Sequence, residues 1–209
     1  MQSAIEPLDW PSLIEAQPAA GLIPIGLRQQ AKRLDAQARV PLFRIGDPVR
    51  CVYLVVSGEA RLIRLARNGS EVILQRSRGG FLAEASLEAR SYHCDAITTE
   101  PTTILTLPVA AFRAALEEDP IFRSAWQSQL TKEIRKLRAQ CERLSLNSAA
   151  DRISHYIESE GADGILTLHQ SRKSWAAELG LSHEALYRTL RRMQSEGVLD
   201  VDGVRLATK

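Results

Sequence analysis

Between Ser171 and Leu206 the sequence spells helix, tight turn, helix and hairpin, an order that few folds accommodate. Arg172 to Leu179 has helical spacing, with Ser171 placed as its N-cap. Gly180 supplies the left-handed residue that ends such a helix. Leu181 is an apolar plug, and Ser182 caps a second helix from His183 to Ser195 with an apolar stripe of Leu186, Leu190 and Met193. Gly197 stops it, and Val198 to Val201 and Val204 to Leu206 read as a hairpin about an Asp202-Gly203 turn. Two helices across a tight turn, followed by a β wing, form a layout that enters the major groove of DNA.

The side chains fit that reading. Glu184 and Arg188 are four residues apart and share a helix face. Arginine takes guanine bidentately, and a carboxylate accepts from the cytosine amino group. His183 and Tyr187 flank this pair, next to the cap Ser182. Arg172, Lys173, Arg191 and Arg192 are placed to grip phosphate, which sets affinity and register rather than sequence. The whole chain carries a net charge of only +2, so any DNA footprint must be local. Ser171 to Arg192 holds five basic and two acidic residues, whereas the stretch from Ser148 to the end holds eight and nine. The plainer alternative is a solvated helix pair in which Glu184 bridges Arg188.

Upstream, two zones differ in period. Residues 1–107 read as short strands with a helical or irregular first 40 residues. The strands are Cys51 to Val56, Ala60 to Leu65, Glu71 to Gln75, Tyr92 to Thr99 and Thr102 to Leu107. Breaks fall at Ser57-Gly58, Asn68-Gly69 (a tight hairpin), Gly79-Gly80 and Pro101. This suggests an antiparallel barrel or jelly roll. Residues 108–146 read as a linker and a long helix, broken at Asp119-Pro120. Leu130, Ile134, Leu137, Cys141 and Leu144 follow the spacing of a two-heptad dimer seam. Lys132, Glu133, Arg135, Lys136, Arg138, Glu142 and Arg143 face solvent by the same count, and a helix packed on its own domain is the alternative. Residues 147–209 form the third zone. It opens with a helix capped by Ser148, with Asp151 in the place of the usual capping-box Glu. That helix buries Ile153, Tyr156 and Ile157 and ends at Gly161 to Gly164, before a weak strand from Ile165 to His169. The fold class expected is α+β: a β-roll sensor, a dimerisation helix and a winged helix-turn-helix.

The run from Gly180 to Leu199, GLSHEALYRTLRRMQSEGVL, resembles the recognition helix and wing exit of the CRP/FNR family. Pro41 to Asp47 (PLFRIGD), Val52 to Glu59 (VYLVVSGE) and Phe81 to Leu87 (FLAEASL) resemble its sensor domain, in family order. The resemblance implies a cyclic-nucleotide-binding-type β-roll, a homodimer on a palindromic site, and Glu184 and Arg188 as base readers. It also implies contact with RNA polymerase, on a surface the sequence does not identify. In cyclic-AMP-binding members the cradle is Gly-Glu followed further on by Arg-Ser. Here Ala83 precedes Glu84, Tyr92-His93 stand at the Arg-Ser positions, and Arg90 is out of register. Cyclic AMP is therefore disfavoured, and the pocket candidates are Glu84, Tyr92, His93 and Cys94.

Other chemistry is constrained by cysteine placement. Cys51, Cys94 and Cys141 form no C-x-x-C pair, so neither a disulfide framework nor a zinc ribbon is expected. No cysteine precedes Cys51, which disfavours the family's N-terminal iron-sulfur cluster. His93 and Cys94 are candidate haem ligands, but neighbours on a strand point to opposite faces. On a parallel seam Cys141 would meet its own copy and could form a disulfide or hold Cu(I). A member without any small effector also stays open. No P-loop, H-E-x-x-H or G-x-S-x-G motif points to an enzyme. No run of 18 apolar residues suggests a membrane span. Met1 to Trp10 does not read as a signal peptide, so a cytoplasmic location is expected. The competing function is a sensory ligand- or metal-binding module whose winged helix makes protein contacts.

Overall fold

A computed structural model, describing residues 8–67, 71–168 and 170–208, divides into two units between Ser128 and Gln129. The α+β class holds, with β sheets first, a long helix, and a helical end carrying a small sheet.

The first unit opens with α1 (Trp10–Ala16), capped by Asp9, a 3-10 turn over Pro18–Leu22, and α2 (Ile25–Arg28). Eight strands follow: β1 (Lys32–Ala36), β2 (Pro41–Phe43), β3 (Cys51–Ser57), β4 (Ala60–Leu65), β5 (Glu71–Ser77), β6 (Gly80–Leu82), β7 (Asp95–Thr98) and β8 (Thr102–Pro108). They form two antiparallel four-stranded sheets, ordered β1-β8-β3-β6 and β2-β7-β4-β5. Phe43, Tyr53, Val55, Leu62, Leu82, Tyr92, Cys94, Ala96 and Ile104 form a buried core cluster. α3 (Val109–Glu118) and the start of α4 (Pro120–Ser145) close this unit. Phe112 sits 4.8 Å from Trp126 and 5.2 Å from Phe122, and Phe81 of β6 meets Trp126 edge-on at 5.0 Å.

Several expected boundaries move. The first 40 residues are not only helical or irregular, since β1 pairs with β8 along Lys32 to Ala36. Tyr92 to Cys94 lie outside β7, because Tyr92 hydrogen-bonds through its backbone to Gly46 and Asp47 instead of a strand. Gly80 opens β6 rather than breaking the chain. The Asn68-Gly69 hairpin lies outside the described residues. Asp119 caps α4 by accepting from the N–H groups of Ile121 and Phe122.

One buried charge organises the β4–β5 edge. Glu59 is 2% exposed, and its carboxylate accepts from Arg61 at 2.6 Å, Arg78 at 2.9 Å and Thr99 at 2.9 Å. Arg76 lies 3.8 Å away and stands directly across from Arg61 in the strand register.

The second unit contains the rest of α4, then α5 (Ala149–Glu160), β9 (Ile165–Thr167), α6 (Arg172–Glu178), α7 (His183–Ser195), β10 (Leu199–Asp202) and β11 (Arg205–Thr208). Ser148, Ser171 and Ser182 cap α5, α6 and α7, each accepting an N–H three residues on, at 3.0, 3.2 and 3.1 Å. Ile153, Ile157, Trp175, Leu179, Leu186, Leu190, Met193, Leu199 and Leu206 form the core. The three strands pair antiparallel in the order β10-β11-β9. Asp202 pairs with Arg205, so the wing's turn residues are Gly203 and Val204, not Asp202-Gly203. Only Gly203 of the two has a positive φ, which is the demand of a type II′ turn rather than I′.

Candidate nucleic-acid interface

α7 buries Leu186, Thr189, Leu190 and Met193 and exposes His183, Glu184, Tyr187, Arg188 and Arg191. At 100° per residue, Glu184, Arg188 and Arg191 lie opposite the buried stripe. Among the described residues no ion pair joins Glu184 to Arg188. The Glu184 carboxyl is held below the ordinary range by hydrogen bonding from its own backbone N–H and from Ser182, aided by the nearby His183 and Arg188. It is thus an acceptor at neutral pH, as contact with a cytosine amino group requires. Lys173 is exposed on α6. Ser182 uses its hydroxyl as the α7 cap.

Arg172 is engaged within the protein. Its Nη2 donates to the Gly203 carbonyl at 2.6 Å, and its guanidinium carbon lies 5.7 Å from the centroid of the Tyr187 ring. Tyr187 also packs on His183, with ring centroids 4.6 Å apart at 64°. A chain of contacts therefore runs from the wing's turn to the first turns of α7.

The same unit carries the residues expected to form a seam. Ile134 and Leu137 are each 50% exposed, Leu144 is 44% exposed, Cys141 is exposed and Leu130 is half-buried. Within the single chain this apolar row is largely uncovered. Arg143 departs from the solvent-facing expectation at 1% exposure. α5 folds back over it, so its guanidinium lies 4.4 Å from the Tyr156 ring centroid and hydrogen-bonds Ser159 at 3.1 Å and Glu160 at 3.4 Å. Sequence reasoning also missed Arg152. Its guanidinium donates to the carbonyls of Leu146 at 2.8 Å, Leu144 at 3.3 Å, Leu179 at 3.1 Å and Gly180 at 3.3 Å. It thus ties the end of α4 to the turn between α6 and α7. His155 adds a contact to Glu142 at 3.3 Å. No local pattern marks an arginine whose partners are carbonyls remote in sequence.

The sensor candidates separate into core and surface. Ala83 holds a left-handed backbone, φ +69°, just before the 3-10 turn Glu84–Ser86. Glu84 is half-buried. Tyr92 is 3% exposed, stacks on Phe43 at 3.8 Å, donates to the Cys51 carbonyl at 2.8 Å and accepts from the Cys51 N–H at 3.2 Å. Cys94 is buried, and that burial pushes its thiol up. His93 is exposed, with Nδ1 3.1 Å from the Ser86 hydroxyl. His93 and Cys94 therefore lie on opposite sides of the chain, and among the described residues no group of three or more His, Cys, Asp or Glu is arranged for a metal. Arg90 is exposed, and its backbone carbonyl accepts from Val49 at 3.2 Å. Among the described residues no helix is long and apolar enough to cross a membrane.

Comparison with known proteins supplies the remaining context. Residues 34–119 match the family model for the cyclic nucleotide-binding domain. The chain is 28% identical over 180 residues to the cyclic AMP receptor protein of Thermus thermophilus, covering 85% of this chain and 83% of that protein. It is 26% identical over 171 residues to the transcriptional activator protein anr of Pseudomonas aeruginosa, covering 78% and 70%. In fold it is similar to FixK2 from Bradyrhizobium japonicum, with a TM-score of 0.67 at 19% identity, covering 86% of this chain and 92% of that one.

Proposed function

We propose that the chain is a transcription regulator of the CRP/FNR family and that it binds a palindromic DNA site as a cytoplasmic homodimer. Regulators of this family are transcription factors rather than enzymes, and its members bind DNA, typically as dimers. In the proposed dimer Leu130, Ile134, Leu137, Cys141 and Leu144 meet their copies, and each α7 enters a major groove of successive half-sites. Glu184 and Arg188 read bases, while Lys173 and Arg191 contact phosphate and set register. RNA polymerase is the proposed protein partner.

The observation that carries this reading is the outward face of α7: Glu184 and Arg188 side by side and not paired with each other, in the proposed base-reading turns, beside a wing fastened to α6 through Arg172. The effector reading follows from the roll. Tyr92 is packed against Phe43 and bolted to the Cys51 backbone, and Arg90 is exposed. Both features weigh against a cyclic phosphate held by an arginine at this position, so we propose an effector other than cyclic AMP.

The test is selection from a randomised duplex pool, followed by salt titration of the selected site. Specific binding should weaken steeply as salt rises. Glu184→Ala and Arg188→Ala should each lose preference at one base pair per half-site with the fold intact. Profiles identical to wild type in both variants would remove these two residues from base reading, and no duplex affinity at all would favour the protein-contact module.

A further inference from the structure

We propose that Tyr187 is a specificity-determining residue of the recognition helix, touching a thymine methyl group. Arg172 is then the positioning residue that holds it there and couples it to the wing. This rests on the DNA-binding reading above and adds to it a third base contact.

An exposed tyrosine on a helix ordinarily samples several rotamers. Tyr187 is 40% exposed, yet its ring is held from two sides. His183, one turn earlier, meets it edge-to-face at 4.6 Å, and the planar Arg172 guanidinium lies 5.7 Å from its centroid. Arg172 is itself fixed, because its Nη2 donates to the Gly203 carbonyl. The next carbonyl, Val204, accepts from the Leu168 N–H at 2.9 Å, so the wing turn is held at two consecutive residues. Among the described residues the Tyr187 hydroxyl has no hydrogen-bond partner. A large apolar ring is thus presented in a set orientation, in the turns of α7 that meet base edges.

The chemistry of the groove then selects its target. Glu184 and Arg188 suit cytosine and guanine, whereas the thymine C5-methyl is the one apolar feature of the major groove and is read by apolar contact. Tyr187 lies on the flank of the exposed face nearest Arg172, beside the Glu184–Arg188 pair, so its base pair neighbours theirs. Arg172 acts through its flat face and forked donors, which lysine lacks although it keeps the charge.

The experiment selects sites from a randomised duplex pool with wild type, Tyr187→Phe, Tyr187→Ala and Arg172→Lys, with salt titrations on the wild-type site. Tyr187→Phe should keep the wild-type profile and affinity. Tyr187→Ala should lower the preference for thymine at one position per half-site by about fourfold, the worth of one buried methyl, and leave other positions alone. Arg172→Lys should weaken that same preference at an unchanged salt slope, and should speed hydrogen exchange at the wing turn. An unchanged Tyr187→Ala profile, or a uniform loss of affinity in Tyr187→Phe (a hydroxyl-to-phosphate contact), overturns the role of Tyr187. An Arg172→Lys variant with its preference intact overturns the role of Arg172. A wild-type protein that selects no sequence refutes the DNA-binding reading itself, and this proposal with it.

Discussion

Glu59→Gln should be among the most damaging isosteric substitutions in the first unit, and its effect should vanish in acid. The carboxylate is 2% exposed and takes hydrogen bonds from Arg61, Arg78 and Thr99, with Arg76 3.8 Å away. Each arginine at roughly 4 Å contributes about 4 kcal/mol of attraction at an effective dielectric of 20, before desolvation is subtracted. Removing one partner of a buried network costs about 3–5 kcal/mol, because the remaining charges face one another. Here Arg61 and Arg76 stand directly opposed across β4 and β5. The amide keeps one acceptor, so we expect a loss of about 3 kcal/mol, near the low end of that range. That corresponds to a fall of about 10 °C in the melting temperature. Burial alone would raise the pKa of Glu59, but hydrogen bonds from Arg78, Thr99 and Arg61 outweigh it and hold the group below its ordinary 4.5. A depressed folded-state value means the stabilisation is complete above the unfolded-state pKa and is lost as pH falls through the folded-state one. Denaturant melts of wild type and Glu59→Gln should therefore differ widely at pH 7 and converge in acid, below the ordinary glutamate range. A gap under about 1 kcal/mol at neutral pH, or one that persists undiminished in acid, would refute the network's role.

Three further outcomes follow from the geometry. Ile134→Glu combined with Leu137→Glu should give a monomer by sedimentation and weaken DNA binding by about a hundredfold through lost bivalency; a stable dimer would remove the seam from consideration. Ala83→Gly should raise stability by about 0.5 kcal/mol in denaturant melts, because relief of the left-handed strain exceeds the added freedom of the unfolded chain. Arg152→Met should cost the second unit about 2 kcal/mol, measured by calorimetry, and lower DNA affinity as well, since the reading head loses its tether to α4.

The second unit was legible because its signals are local. Ser171, Gly180, Ser182 and Gly197 each mark a helix end through their own backbone or side chain, and all four do so in the structure. β1 was not legible because its residues do not alternate in burial: Lys32 to Asp35 are all exposed and only Ala36 is covered. It is a strand because β8 offers it an edge, which no window of sequence records. Arg143 misled for a related reason. Heptad counting treats a helix as surrounded by water, whereas α5 returns to cover that position. The wing turn shifted by one residue because Gly203 suits both turn types, and the pairing of Asp202 with Arg205 decides between them. Spacing alone picks out the apolar row of α4, while the arginine that fastens the same helix end carries no such signal, since its acceptors are backbone carbonyls that every residue possesses.

That fastening has a consequence for operator architecture. Arg152 grips the carbonyl of Leu144, in the exposed apolar row of α4, together with those of Leu179 and Gly180 just before α7. In the proposed dimer the two heads are then held like the jaws of a fixed caliper. One extra base pair at the centre of a site would carry a half-site about 3.4 Å away and swing it by about 35° around the duplex axis. A caliper without slack cannot follow, so a dimer of this kind would discriminate among sites by the distance between their halves as strictly as by the letters within them.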